Sequence, residues 1–313
     1  MKIRKEYIIL AGIIVVLLLY VVLNKGDRTN YELPELSPIA KGEITKMVFS
    51  TGGRSVILER NDDIWRIRPQ GYKADPAAVG RMLDAVEGFS LNTLAAESGN
   101  YAIYDLEGEK RIKLEVYRGP DVVLAIDIGK NASTNRHTFV RLEGDDGIYQ
   151  SGSNMRGVFD VDMSRLRDKS ALSLDSEQVT GLTLMTSEGP IEIIRGDIPG
   201  LSPAGADSSA APPAAWVTGD GSEADERIVK TIISALSNLK CDSYIEGMSK
   251  EGLKEPVYTV MVKGTEAATL SIYEIEGEMY PASSSQNDYP FYLPRWRVEQ
   301  IMKLPSEIVK KEE

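Results

Sequence analysis

One ordered set of sequence landmarks occurs twice in this chain, and it restricts the fold to two copies of a single unit. Ile44-Thr-Lys-Met-Val-Phe-Ser50 alternates inward and outward residues, Thr51-Gly-Gly-Arg54 interrupts it, and Ser55-Val-Ile-Leu-Glu-Arg60 resumes it, which is a hairpin pattern. A turn at Asn61-Asp-Asp63 leads to a third short strand, Ile64-Trp-Arg-Ile-Arg68, closed by Pro69. Asp75 as N-cap and Pro76 at the first helical position then predict a helix over Ala74–Gly88. Its Val79, Leu83 and Val86 form one apolar stripe that requires a sheet to lie on. Val179–Met185, Pro190–Arg195, Trp216–Thr218 and Glu223-Ala-Asp225 repeat these landmarks, followed by the stripe Ile228, Ile232 and Leu236. The offset is 135 at Ile44/Val179 and 150 at Asp75/Asp225. The Ala/Pro/Ser/Gly-rich stretch 197–213 absorbs the difference and predicts a flexible loop.

Later elements keep the correspondence. Strands predicted at Arg111–Tyr117, Asp121–Ile128 and Ile148-Tyr149 are matched by Pro256–Val262, Ala268–Tyr273 and Phe291–Leu293, and Arg136–Leu142 reads as a further strand. Asn154–Leu166 predicts one helix or two broken turns, and Arg295–Leu304 a closing helix. The expected fold class is therefore α+β: two similar modules, 43–170 and 178–311, each a mainly antiparallel sheet with helices on one face.

Ahead of the modules lies an apolar run, residues 7–23, that holds no charge. As a helix it spans about 26 Å, the short end of a bilayer core. Lys2, Arg4 and Lys5 precede it within residues 1–6, a flank that stays cytoplasmic. Cleavage as a signal peptide would need small residues after the run, and Val21-Val-Leu-Asn-Lys25 has none. A buried core helix fits poorly, because the run is apolar on every side. The expectation is a single-pass anchor with an extracytoplasmic body in the cell membrane, joined through a stalk at 24–42 that carries Pro34 and Pro38.

The order of anchor, stalk, strand pair, Trp65-x-Ile67-x-Pro69, Ala74-Asp75 helix start, and strands ending in a Gly and an aromatic before a final helix resembles the bacterial family of unknown function numbered 4340. The second copy departs from it, with Thr218 and Gly219 after Trp216. The resemblance implies association with ABC-type permeases and the auxiliary subunits of gliding-motility-type transport systems. It thereby implies an accessory or scaffold role in an envelope transport complex.

Chemistry-bearing residues are sparse. A net charge of -11 without clustered Lys and Arg excludes nucleic acid as the expected partner. With a single cysteine, Cys241, an intrachain disulfide is impossible, and with a single histidine, His137, so is a two-histidine site. His137 reads as a surface strand residue and Cys241 as a small core residue. Ile128–Thr134 lacks the glycine spacing of a phosphate loop, and Asn131-Ala-Ser133 matches a glycosylation acceptor without consequence in a bacterium. Asp62-Asp63 and Asp145-Asp146 occupy predicted turns, where Asp suits the backbone. No catalytic, cofactor-binding or metal residue is expected, and the chain is expected not to be an enzyme. The alternatives are an extracytoplasmic glycan hydrolase using carboxylates, and a solute- or polymer-binding module. Trp65 and Trp216, at matching positions, and Tyr292 and Trp296, in the densest aromatic stretch, are the candidate partner contacts, with core packing as the competing role for each.

Overall fold

The computed structural model describes residues 12–20, 31–196 and 215–310. The chain divides into two compact units, Met1–Arg167 and Asp168–Glu313. Residues 12–20 are helical (α1) with their side chains exposed. Among the described residues no helix is long and apolar enough to cross a membrane. The remainder of the apolar run, residues 1–6 and the predicted loop 197–213 lie outside the described residues.

The first unit is a mainly antiparallel α+β fold. Its strands are β1 (Lys46–Thr51), β2 (Arg54–Asn61), β3 (Ile64–Arg68), β4 (Tyr72–Lys73), β5 (Leu91–Ala96), β6 (Ile112–Arg118), β7 (Asp121–Asn131), β8 (Thr138–Leu142) and β9 (Ile148–Ser151). They form one sheet in the order β4-β3-β2-β1-β6-β7-β8-β9-β5. The two-residue loop Gly52-Gly53 has positive φ at both positions (54° and 76°), the backbone twist that joins two strands tightly. At the next turn Asp62 takes φ 54°, which a short polar side chain tolerates. Period-two alternation sends Met47, Phe49, Leu58, Ile112, Leu114 and Val116 to one face, and Met47 faces Leu58 and Val116 in register.

That face is covered by α2 (Pro76–Glu87), α3 (Met155–Phe159) and α4 (Met163–Leu166). The segment 154–166 is thus two short helices, not one. Asp75 caps α2 by accepting from the Ala78 N–H at 2.8 Å. The buried stripe is Ala78, Val79, Met82 and Val86, with Leu83 half-buried at its margin. Since β4 and β5 are opposite edges of the sheet, the α2 segment carries the chain from one edge to the other across the apolar face. The end of the predicted stalk belongs to this unit: Ile39 packs on the core, and Lys41 binds Asp84 through Nζ at 2.8 Å and Glu87 through its amide.

The second unit contains a two-stranded pair, β10 (Ser170–Ser173) with β14 (Asn238–Lys240), beside an eight-stranded sheet. The latter comprises β11 (Gly181–Thr186), β12 (Gly189–Gly196), β13 (Ala215–Thr218), β15 (Ser243–Tyr244), β16 (Tyr258–Lys263), β17 (Ala268–Ile272), β18 (Met279–Ser284) and β19 (Phe291–Pro294). Its order, β13-β12-β11-β16-β17-β18-β19-β15, follows that of the first sheet strand for strand from β3 to β5. Leu182 faces Ile193 and Val262 as Met47 faces Leu58 and Val116. Helix α5 (Glu226–Ser237) is capped by Asp225, which accepts from the Arg227 N–H at 2.9 Å, and it buries Val229, Ile232, Ile233 and Leu236. Helices α6 (Arg295–Ile301) and α7 (Pro305–Ile308) add Val298, Ile301 and Ile308 to the same core, which also holds Cys241. Backbone contacts recur as well: Asp75 N–H donates to Leu166 and Asp225 N–H to Ile308, both at 2.7 Å.

Removing either cap by Asp75→Ala or Asp225→Ala should lower stability by about 1 kcal/mol, read as a shift in the urea unfolding midpoint. An unchanged midpoint for both would show that packing alone holds these helices.

Candidate functional site

The four sequence-predicted contact residues fall into different environments. Trp216 is 3% exposed inside the second core, on the helix-bearing face of edge strand β13 opposite Arg195, whose guanidinium lies 5.4 Å from its ring. Trp65 is half-buried and packed on the first core, opposite Arg60 in the same register. Trp216 thus packs from the edge strand and Trp65 from β3, one strand in from the edge, each against the core of its own unit. Tyr292 lies in β19 and Trp296 at the start of α6, which follows it directly.

Alternation in β19 buries Phe291 and Leu293 and turns Tyr292 outward. Pro294 ends the strand, and the helical turn that follows buries Val298 and Ile301 while leaving Trp296 56% exposed, the largest exposed aromatic side chain of the unit. The Arg297 guanidinium stacks 4.6 Å from the Trp296 ring. The Tyr292 hydroxyl donates to Glu276 Oε2 at 2.9 Å, and that carboxylate holds the phenol above its usual range. Behind the patch, Tyr258 on β16 fixes the end of α6, its hydroxyl donating to the Lys303 carbonyl at 2.9 Å and accepting from the Lys303 N–H at 3.1 Å. Burial pushes the Tyr258 phenol up to about 12.

The corresponding stretch of the first unit shows what the fold itself requires. Tyr149 faces Val140 and Leu94 as Phe291 faces Ala282 and Tyr244, so Gln150 holds the place of Tyr292. No aromatic residue lies between Gln150 and Val158, and α3 is started instead by Asn154, which accepts from the Gly157 N–H at 2.7 Å. The same strand-to-helix turn forms without an outward aromatic pair. Tyr292 and Trp296 are not required by this turn, and their neighbours are Glu276, which accepts from Tyr292, and Arg297, which stacks on Trp296.

A second cluster, on the other face of the first sheet, escaped the sequence analysis. Asp127, 9% exposed, is gripped by Arg141 at 2.6 Å and approached by Arg111 at 3.5 Å, in a cleft of about 370 Å³. Arg141 also lies 4.5 Å from the Tyr101 ring. Beside it Lys113 pairs with Glu115 at 2.8 Å and Glu143 at 3.6 Å, which holds the lysine above and the Glu115 carboxyl below their usual ranges. Asp145 and Asp146 also line the cleft, Asp145 accepting from the Tyr149 hydroxyl at 2.8 Å. Its only sequence signal was charge at successive outward positions of β6 and a lone Asp in the apolar run of β7. His137 lies just before β8, half-buried, with Nδ1 2.8 Å from the Ser151 carbonyl. Among the described residues no group of three or more His, Cys, Asp or Glu is placed to hold a metal ion.

Residues 65–256 match the family described as a domain of unknown function, DUF4340. The chain belongs to this family. The match begins at Trp65 and runs through the first unit into α5 and beyond, so the DUF4340 region takes in parts of both units. No curated protein and no solved structure matches the chain.

Trp216→Ala should destabilise the second unit by about 3–5 kcal/mol, whereas Trp296→Ala should stay within about 0.5 kcal/mol, both by urea denaturation. Comparable losses would place Trp296 in the core. Because the fold favours the neutral Tyr258 phenol, its stabilisation is complete below pH 10 and fades as pH rises toward about 12. The unfolding midpoint should fall across that interval, and fall less steeply in Tyr258→Phe.

Proposed function

We propose that this DUF4340 protein is a membrane-anchored, non-catalytic accessory or scaffold subunit of an envelope ABC-type transport complex. The observation that carries the proposal is helix α1, whose apolar side chains are uncovered, from Ile14 at 48% to Val16 at 65% exposed. Within the units the sheet cores bury residues such as Met47, Leu114, Leu182 and Val260, all at 0%, and the large apolar side chains left exposed, such as Ile103 and Val122, do not form an unbroken run like that of α1. A contiguous apolar helix left bare in water is strongly unfavourable, and a lipid environment removes that cost. The apolar sequence extends beyond α1 to Tyr7 and Leu23, and the Lys2, Arg4 and Lys5 flank favours a cytoplasmic amino terminus with both units outside.

Tethering gives the Trp296 patch its use, because a fixed height and a shared membrane raise the effective concentration of a membrane partner. The partner class, an ABC-type permease with its auxiliary subunits, comes from the family resemblance. Full-length protein extracted in mild detergent should bring down permease and ATPase subunits, and Trp296→Ala should reduce that recovery several-fold without loss of fold. A body starting at Lys25 should leave the membrane fraction and fail to replace the full chain in cells. If the soluble body restores function fully, the tethering role is wrong.

A further inference from the structure

The two units differ most usefully at one corner of the sheet. In the second unit, the corner between the 3-10 turn Ser176–Gln178 and the β16–β17 connection encloses a cavity of about 490 Å³, within the range of small-molecule sites. Leu174, Val179 and Val262 give it an apolar lining, while Asp175, Gln178 and Glu266 line it with polar groups. Among the described residues no lysine, arginine or histidine lines it. Asp175 Oδ1 accepts from the Glu177 N–H at 3.0 Å, but neither Asp175 nor Glu266 is met by a cation among the described residues.

In the first unit the same corner holds a cation from the chain itself. Ile39 and the 3-10 turn Lys41–Glu43 stand 135 residues before Leu174 and Ser176–Gln178. Tyr117 faces Lys46 as Lys263 faces Gly181, so the residue that follows, Arg118, corresponds to Gly264. Arg118 Nη1 pairs with Glu43 Oε2 at 3.1 Å. Where the first unit places an exposed guanidinium paired with Glu43, the second has Gly264 and Gln178 at the matching positions, and the acids of its cavity are instead Asp175 and Glu266. No side chain at position 264 can take the role back, because a Cβ there would lie 2.6 Å from the Gln178 carbonyl oxygen.

We propose that this cavity binds a small ligand bearing a guanidinium or ammonium group on a short apolar stem. The stem lies on Leu174, Val179 and Val262, and the cation meets Asp175 and Glu266, whose attraction is strongest at low ionic strength. The test is calorimetric titration of the full chain, in uncharged detergent and low salt, with n-butylguanidinium as probe and n-butanol and butyrate as its neutral and anionic counterparts. Saturable binding of the cation is expected, at least tenfold tighter than of butanol, with none for butyrate. The double variant Asp175→Asn/Glu266→Gln, at two exposed positions, should bind the cation about tenfold more weakly, and Leu174→Trp, which fills the cavity, should not bind it. Absence of saturable binding to the wild-type chain, equal binding of butyrate, or an unchanged affinity in the double variant would each overturn the proposal. Should Leu174→Trp fail to give a normal melting transition, the double variant decides the outcome alone.

Discussion

Each unit depends on one aspartate-capped helix that carries the chain across its own sheet. In the first unit α2 connects edge strand β4 to the opposite edge strand β5, and in the second α5 connects β13 to β14 and then to β15 at the far edge. A chain that makes this crossing must lie on the apolar face, so it covers the strands it passes and closes the core by the act of connecting them. The cap matters because it fixes where the crossing starts: Asp75 and Asp225 satisfy the first free amides while their own N–H groups bind Leu166 and Ile308 at the end of each unit. The beginning of the crossing helix and the last turn of the unit are thus held at one point.

Around that constraint the copies agree wherever the core is concerned and differ wherever the surface is free. Met47 and Leu182, Leu114 and Val260, Trp65 and Trp216 occupy matching places in register. On the outward face of the sheets, by contrast, Asp127 and Arg141 pair across β7 and β8 where Ser271 and Ser283 pair across β17 and β18. Asp127 is buried and paired with Arg141, and the second unit replaces both charges together, so neither is left buried without a counter-ion. The aromatic patch at Tyr292 and Trp296 and the open corner at Gly264 are asymmetries of the same kind, and both belong to the second unit.

Much of this was legible in the sequence because period and punctuation agreed. Alternation marked β1, β2, β6 and β16, the Asp-Pro start marked α2, and the stripe Ile228, Ile232, Leu236 marked α5. Strands β5, β15 and β18 were not legible. Leu91–Ala96 is broken in register against β9, Ser243–Tyr244 is two residues long, and Met279–Ser284 contains Pro281 and two serines, a composition that reads as a turn. Pro281 has no N–H to return the hydrogen bond that its carbonyl accepts from Tyr273, so the ladder of β18 with β17 begins only at Ala282. The aromatic candidates divided for a reason no linear pattern carries: Trp216 and Trp296 each sit near one end of a strand or helix, and only the direction of the side chain separates a plug from a contact.

The stalk shows how the duplication corrects a composition-based boundary. Its prolines and lack of periodicity marked 24–42 as spacer, yet residues 39–43 match Leu174–Gln178 by position, and Ile39 with Lys41 is docked on α2 as part of the first unit. In the second unit the residues just before Leu174 form β10 and pair with β14; in the first, Pro34 and Pro38 bracket the equivalent stretch and cannot donate to such a ladder. The prolines therefore do more than extend a linker. They deny residues 34–38 the N–H donors at either end with which a strand like Ser170–Ser173 pairs, so among the described residues the first unit has no counterpart of the two-stranded β10–β14 sheet.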